Sequence, residues 1–474
     1  MEQSIKKAGF RDFNLVYWIS VIYEFFERGA YYGMMSVLSI YMTDKLGFTK
    51  EGVGILKSTI QPLLYLLPII SGAIADKVGY RKTLMVAFSL LGLGYFLASQ
   101  TTSYFAVFAS LVVMAFGAGT FKPVISGTIA RVTDERTNSL GFGIYYWSIN
   151  LGAFLFPMFL IPYLKSLNWS YVILASAICT GAMLLPTIFI YKEPVKELSA
   201  EKERLGKVIK DILNKIIVVF KDWRFILFIF IYSWFWIMYF QMFDSVLWYV
   251  ESFVDASPLN NFVLKLTGIN WHFDVEHVTV INALTIILLQ LIVSSIVKKT
   301  KALPTMITGI SFAIVGMAIL AINTNIWIFI IGVFIFSIGE MTAHPKFLSY
   351  LGMIAPADKK ATYQGFGFLY GVFGSLIGGI LGAFLYVRLI DNPMIAFIRT
   401  KLAEAGSSIK LPQGVNVSEA INAGESIGLT KAQISMYAHP SELWLLFCGI
   451  GVVCIIGLLI YQKFIGARKA ADLN

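Results

Sequence analysis

Charge is scarce in this chain. Asp, Glu, Lys and Arg make up 14% of its 474 residues, against about a quarter in soluble domains. That scarcity excludes an ordinary soluble globular protein. Cysteine is nearly missing: Cys179, Cys448 and Cys454 are the whole complement, and each falls inside an apolar run. A disulfide framework and a thiolate metal site are excluded by that placement, so the three thiols read as small buried hydrophobes. The sequence carries no nucleotide loop, no metal-ligand spacing and no nucleophile–base pair beyond chance. No enzyme activity, cofactor or metal is therefore expected. Low-complexity tracts and direct repeats are absent. The opening stretch MEQSIKKAGFRDF lacks a signal-peptide core and cleavage site, so the first apolar run is expected to be retained.

What is present is apolar. Hydrophobic residues make up 57% of the chain, and the mean hydropathy is +0.72. The pattern predicts an all-α integral membrane protein. Runs of about 20 apolar residues mark spans. They lie near 14–42, 52–75, 83–100, 104–130, 139–164, 169–191, 225–250, 276–297, 303–322, 326–354, 363–387 and 441–464. These twelve are numbered here in chain order. The charged stretch from Lys192 to Arg224 divides them six and six. Its periodicity predicts an amphipathic helix at the membrane surface. The expected units are thus residues 1–191, a linker over 192–224, and residues 225–474.

The net charge is +10, but nucleic acid is the wrong partner for it. Lys6, Lys7 and Arg11 precede span 1. Lys77, Arg81 and Lys82 join spans 2 and 3, Lys298, Lys299 and Lys301 join spans 8 and 9, and Lys463, Arg468 and Lys469 follow span 12. The loops after spans 3 and 9 carry no Lys or Arg. The positive-inside rule then puts both termini and the linker in the cytoplasm. Two longer loops, near 251–275 and 388–440, are expected outside, the second with a short surface helix in MIAFIRTKLAEAG. Six spans, a cytoplasmic linker and six more is the layout of major facilitator superfamily transporters, whose halves rock about a midplane site.

Two stretches carry concentrated chemistry. GAIADKVGYRK, between spans 2 and 3, resembles the superfamily signature for that loop. Its glycines permit a tight turn, Asp76 is expected at a neighbouring helix N-terminus, and Arg81 and Lys82 are expected to anchor the turn at the membrane surface. These residues are assigned to gating. YEFFERGAYYGM, in span 1, buries three charges. Glu24, Glu27 and Arg28 share one helical face, and charge inside a span faces the protein interior and finds partners. Two carboxylates beside one guanidinium leave a negative excess, so one carboxylate could carry a proton. Arg28 suits a planar, two-pronged contact to a carboxylate. Tyr31 and Tyr32 add rings and hydroxyls.

E-x-x-E-R followed by YYGM resembles the first-span signature of the proton-dependent oligopeptide transporter family. GAGTFKPVISG in span 4, FGIYYWSINLGAFLFP in span 5 and IGEMTAHPKFLSYLGMIAP in span 10 resemble that family's motifs in the same order. The resemblance is strong over about the first 160 residues and patchier beyond. It implies that Glu24, Glu27, Arg28 and Lys122 couple protonation to substrate. Arg28 and Lys122 would meet a substrate carboxylate, and Glu340 an amino group. Tyr31, Tyr32, Tyr146, Asn150, Trp236, Gln241 and His344 would line the pocket. The implied function is proton-coupled symport of small peptides in the cell membrane. The expected partners are a small peptide or similar solute, protons and lipids, and the chain is expected to act as a monomer.

The sequence also departs from the family. Met35 stands where an arginine is usual after YYGM. Phe240 stands where span 7 usually has a glutamate, in WIMYFQ, with Trp236 and Gln241 matching. Losing both charges is coherent, since losing one would strand a buried charge; the remaining apolar pair would pack together. Lys57 and Asp244 could close an alternative bridge, or each could reach water separately. His344 replaces a serine before the tenth-span proline, one turn from Glu340, and histidine titrates near neutral pH. A diverged member that moves another zwitterionic or amphiphilic solute, even outward, remains a second reading. A transporter-like receptor or lipid-binding scaffold is a third.

Overall fold

A computed structural model describes residues 9–194, 205–356 and 359–466. Among them every regular element is helical, apart from one isolated bridge between Asp255 and Asn325. Eleven helices are long and apolar enough to cross a membrane: Lys50–Val78, Tyr80–Gln100, Tyr104–Val132, Leu140–Leu167, Trp169–Phe189, Trp223–Phe253, His277–Val297, Ala302–Leu320, Ile326–Ile354, Thr362–Glu404 and Pro440–Phe464. With Leu15–Ile40, whose three charges set it apart, they match the twelve expected spans. Backbone polar groups cannot be left open in hydrocarbon, which is why long apolar runs become helices.

Several spans are interrupted. Span 5 passes through a wide turn at Phe156–Leu160, where Pro157 supplies no N–H. Span 7 breaks at Gln241–Phe243 and resumes at Ser245, so Asp244 sits at a kink and not one regular turn beyond Phe240. Span 11 is broken at Phe368 and widened at Val387–Asp391.

The stretch expected as an outer loop with one short helix differs most. Span 11 continues into Asn392–Glu404, and two more helices follow at Val417–Glu425 and Lys431–Ser435. Met394, Ile395, Ile398 and Leu402 are buried on the first, with Ala420 and Ile434 on the others. Phe397 stacks on Tyr437 with ring centroids 3.8 Å apart. The polar composition of 388–440 concealed a small apolar core of its own. Ser257–Thr267 is a helix in the other long loop, and Leu205–Lys221 is a helix in the linker.

The chain divides into two compact units. The first is Met1–Met35, Ile60–Ile226 and Ala355–Val372; the second is Ser36–Thr59, Leu227–Ile354 and Phe373–Asn474. Spans 1, 2 and 11 each contribute to both. Close helix packing in each unit uses small residues, as membrane helices do. In the first, a Cβ on Gly117 would lie 2.7 Å from the Leu91 nitrogen on span 3. In the second, a Cβ on Gly316 would lie 2.6 Å from the Gly332 carbonyl on span 10.

Candidate functional site

The first unit holds the charged cluster of span 1. Glu24 and Glu27 are buried and Arg28 is largely so. Arg28 grips Glu27 with both prongs: Nη2 donates to Oε1 at 2.6 Å and Nε donates to Oε2. Its Nε lies 3.7 Å from Glu24 Oε1. The guanidinium carbon sits 5.0 Å from the Tyr31 ring centroid, a cation–π contact. The fork expected to receive a substrate carboxylate is thus held by Glu27. Glu24 Oε2 is buried with no hydrogen-bond partner among the described residues.

Lys122 enters from span 4. Among the described residues it closes no ion pair, and its ammonium lies 5.7 Å from the Phe368 ring centroid of span 11. Tyr31 donates to Gln61 Oε1 at 3.2 Å, and Gln61 lies against the sulfur of Met35 at 3.9 Å. Tyr32 packs edge-on to Tyr31. Tyr65 meets Tyr370 edge-on at 6.1 Å, and a Cβ on Gly371 would lie 2.5 Å from the Tyr65 ring. Tyr146 is 60% exposed, and Asn150, one turn on, donates to its carbonyl at 2.9 Å. Gln61, Tyr65, Phe368 and Tyr370 escaped the sequence reading, because polar and aromatic residues within spans are common and give no periodic signal.

In the second unit, Glu340 Oε2 accepts from Asn282 of span 8 at 3.0 Å, and the same amide donates to Ser337 at 2.9 Å. His344 Nδ1 is 3.5 Å from the Tyr232 hydroxyl, and its ring meets Trp236 at 5.3 Å. Trp236 and Phe240 are buried, their ring centroids 5.9 Å apart. Gln241 is fully buried. Its amide donates to the Ile237 and Gly378 carbonyls at 2.9 and 3.0 Å, and its oxygen accepts from Ser245 at 2.7 Å. Its polar atoms are turned to the helices around it.

Lys57 and Asp244 do meet. They form a buried ion pair. Ser39 donates to Asp244 Oδ1 at 2.7 Å, and Lys57 also donates to the Phe243 carbonyl at 2.8 Å, which the break in span 7 leaves open. One turn pair away on span 2, Lys50 donates to both oxygens of Asp391 at 2.7 and 2.8 Å. Its ammonium also lies 4.4 Å from the Tyr386 ring centroid. Between the two lysines, a Cβ on Gly54 would lie 2.6 Å from the Gly379 carbonyl, and Ser58 donates to the Ser375 carbonyl at 3.2 Å. Lys50, Gly54, Lys57 and Ser58 form one stripe by helical spacing.

The loop between spans 2 and 3 corrects one assignment. Asp76 is not at a helix N-terminus: it accepts from Arg131 of span 4 and from Tyr80, both at 2.8 Å. The anion at the start of span 3 is Glu193, which accepts from the Tyr80 amide and, at 3.0 Å, from the Arg81 amide. That placement is favoured by the helix dipole. Arg81 reaches across to span 6. It donates to the Thr187 carbonyl at 3.0 Å and to Ile188, at the end of span 6, where cations satisfy open carbonyls. Gly79, at φ 103°, makes the turn.

Among the described residues, eleven apolar helices of membrane-spanning length and the charged helix Leu15–Ile40 make this a polytopic helical membrane protein. Residues 21–254 match the Major Facilitator Superfamily. That match covers just under half of the chain, and curated dipeptide and tripeptide permeases are similar to it. Dipeptide and tripeptide permease A of Klebsiella pneumoniae (strain 342) is 28% identical over 226 residues, covering 46% of this chain and 44% of that permease. The match thus spans less than half the length of the curated relatives. A peptide transporter POT solved with sulfate superposes with a TM-score of 0.69 at 20% identity, over 98% of this chain and 97% of that one. A POT family transporter solved with 5-aminolevulinic acid gives 0.68 at 22%, over 98% of each. At such identities the superpositions establish the fold.

Proposed function

We propose that this protein moves di- and tripeptides or related small peptides together with protons across the cell membrane, by alternating access, with both termini cytoplasmic. The observation that supports this best is the set of charges inside the spans, the buried Glu24 and Glu27 with the part-buried Arg28 and Lys122. Nothing in a packing role requires four charges there, and their desolvation is expensive.

Each residue then has a task. Glu24, with an open carboxylate oxygen, takes the proton. Lys122, with no ion-pair partner among the described residues, receives the peptide carboxylate. Arg28 joins it when its fork turns from Glu27 to the peptide carboxylate. Glu340, steadied by Asn282, meets the amino group. Tyr31, Tyr32, Tyr146, Asn150, Trp236 and His344 supply walls, and Gln241 holds span 7 against span 11. The Lys57–Asp244 pair serves as the latch that Met35 and Phe240 no longer form. Asp76 and Arg81 brace the opposite gate.

The test is uptake of a labelled dipeptide by proteoliposomes under an inward proton gradient. Accumulation that collapses with a protonophore is expected. Saturable peptide binding without accumulation would make the protein a receptor. A second reading, transport of another zwitterionic solute, draws support from Phe240 and from Gln241, whose polar atoms are occupied. Thermal stabilisation by that solute and not by peptides would favour it.

A further inference from the structure

The linker helix Leu205–Lys221 leaves a face whose partner the transport reading does not supply. Ile212 and Val219 are its buried line, seven residues apart. Beyond that line Ile217 is 52% and Phe220 49% exposed, and Trp223, just past the helix, is 59% exposed. Lys210, Ile217 and Lys221 fall on one stripe (i, i+7, i+11), with Phe220 on its flank toward the buried line. Lys210 and Lys221 are exposed. Arg224 lies over the Trp223 ring at 5.8 Å. Asp211 and Lys215, one turn apart, offset each other, so the exposed stripe that carries Ile217 is net positive.

Covalent geometry decides where this face sits. The helix ends at Lys221 and span 7 begins at Trp223, with Asp222 alone between them. Asp222 fixes the junction: its Oδ1 accepts from the Phe225 amide at 3.2 Å and its Oδ2 from the Tyr363 hydroxyl at 3.0 Å. A helix tied that closely to a membrane span keeps its last turn beside the mouth of that span. Aromatic and aliphatic side chains bordered by lysines are the composition of helices that rest in the bilayer interface.

We propose that this helix binds the anionic phospholipid surface of the leaflet at which span 7 begins. Ile217, Phe220 and Trp223 enter the acyl boundary, and Lys210, Lys221 and Arg224 contact phosphate headgroups. Lipid phosphates attract such cations within a Debye length of the surface. The occupant is a lipid bilayer, not a second protein.

The experiment uses the full chain in nanodiscs of phosphatidylcholine with and without phosphatidylglycerol. A bimane label on Ile217→Cys should be quenched by lipids carrying a nitroxide near the headgroup end of the acyl chain. It should be quenched little by aqueous iodide. The Lys210→Gln, Lys221→Gln double variant should retain at least two-fold less phosphatidylglycerol in native mass spectrometry, with unchanged phosphatidylcholine. Iodide quenching with no lipid quenching would overturn the proposal, as would equal phosphatidylglycerol retention by the double variant. Shielding of the label by cross-linking between two copies would reassign the face to an oligomer. None of these readouts depends on which solute is carried.

Discussion

Arg28 holds Glu27 with both prongs, and among the described residues Lys122 closes no ion pair with a carboxylate. Replacing Lys122 with alanine should therefore abolish proton-driven uptake while lowering expression far less. Wild-type accumulation by purified Lys122→Ala in proteoliposomes would assign the lysine to charge balance alone. Glu340 makes a matching case. Glu340→Gln should weaken binding of peptides with a free amino terminus by ten-fold or more, and of N-acetylated peptides little, since acetylation already removes the cation. Calorimetric titration of both peptide types reads the difference. Equal losses would mean that Glu340 only orders Asn282 and Ser337. The charges of the cluster were legible in the sequence because ionised groups in apolar runs are rare. Their partners were not. Glu27 as the occupant of the Arg28 fork depends on a rotamer, and Phe368 over Lys122 joins residues far apart in the chain.

At the scale of elements, the stripe Lys50, Gly54, Lys57 and Ser58 makes span 2 depend on two aspartates. Asp391 lies 341 positions from Lys50, and no local period announces such a pairing. Single variants Lys50→Met or Asp391→Leu should each lose about 3–5 kcal/mol, the usual effect of stranding a buried charge. The double variant should recover most of it, as a double-mutant cycle on thermal unfolding would show; additive losses would mean that the pair does not form. Gly54→Leu should also destabilise, by about 1–3 kcal/mol, the range for overpacking. The spans themselves were plain in the sequence, since runs of about 20 apolar residues have few other fates in a chain this poor in charge. The helices Val417–Glu425 and Lys431–Ser435 were hidden because their buried residues are few and set in polar sequence. Glu193 at the start of span 3 was hidden because any acid near the loop, Asp76 included, fits the same pattern.

At the scale of the whole molecule, the sign of the cluster has an electrical consequence. Glu24, Glu27, Arg28 and Lys122, all ionised, carry two negative and two positive charges, which cancel. A zwitterionic peptide adds none. In the proposed symport, the accompanying proton would leave the loaded carrier one positive charge richer than the empty one. Moving one elementary charge through a membrane voltage is worth about 2.3 kcal/mol per 100 mV. Peptide entry should then generate inward current, and an interior-negative potential should raise the initial rate even with no pH gradient. Solid-supported membrane recordings on proteoliposomes, with a potassium diffusion potential clamped by valinomycin, measure both. A silent, voltage-indifferent carrier would mean that the cluster passes no net charge, and that the proton taken up by Glu24 is returned on the same side.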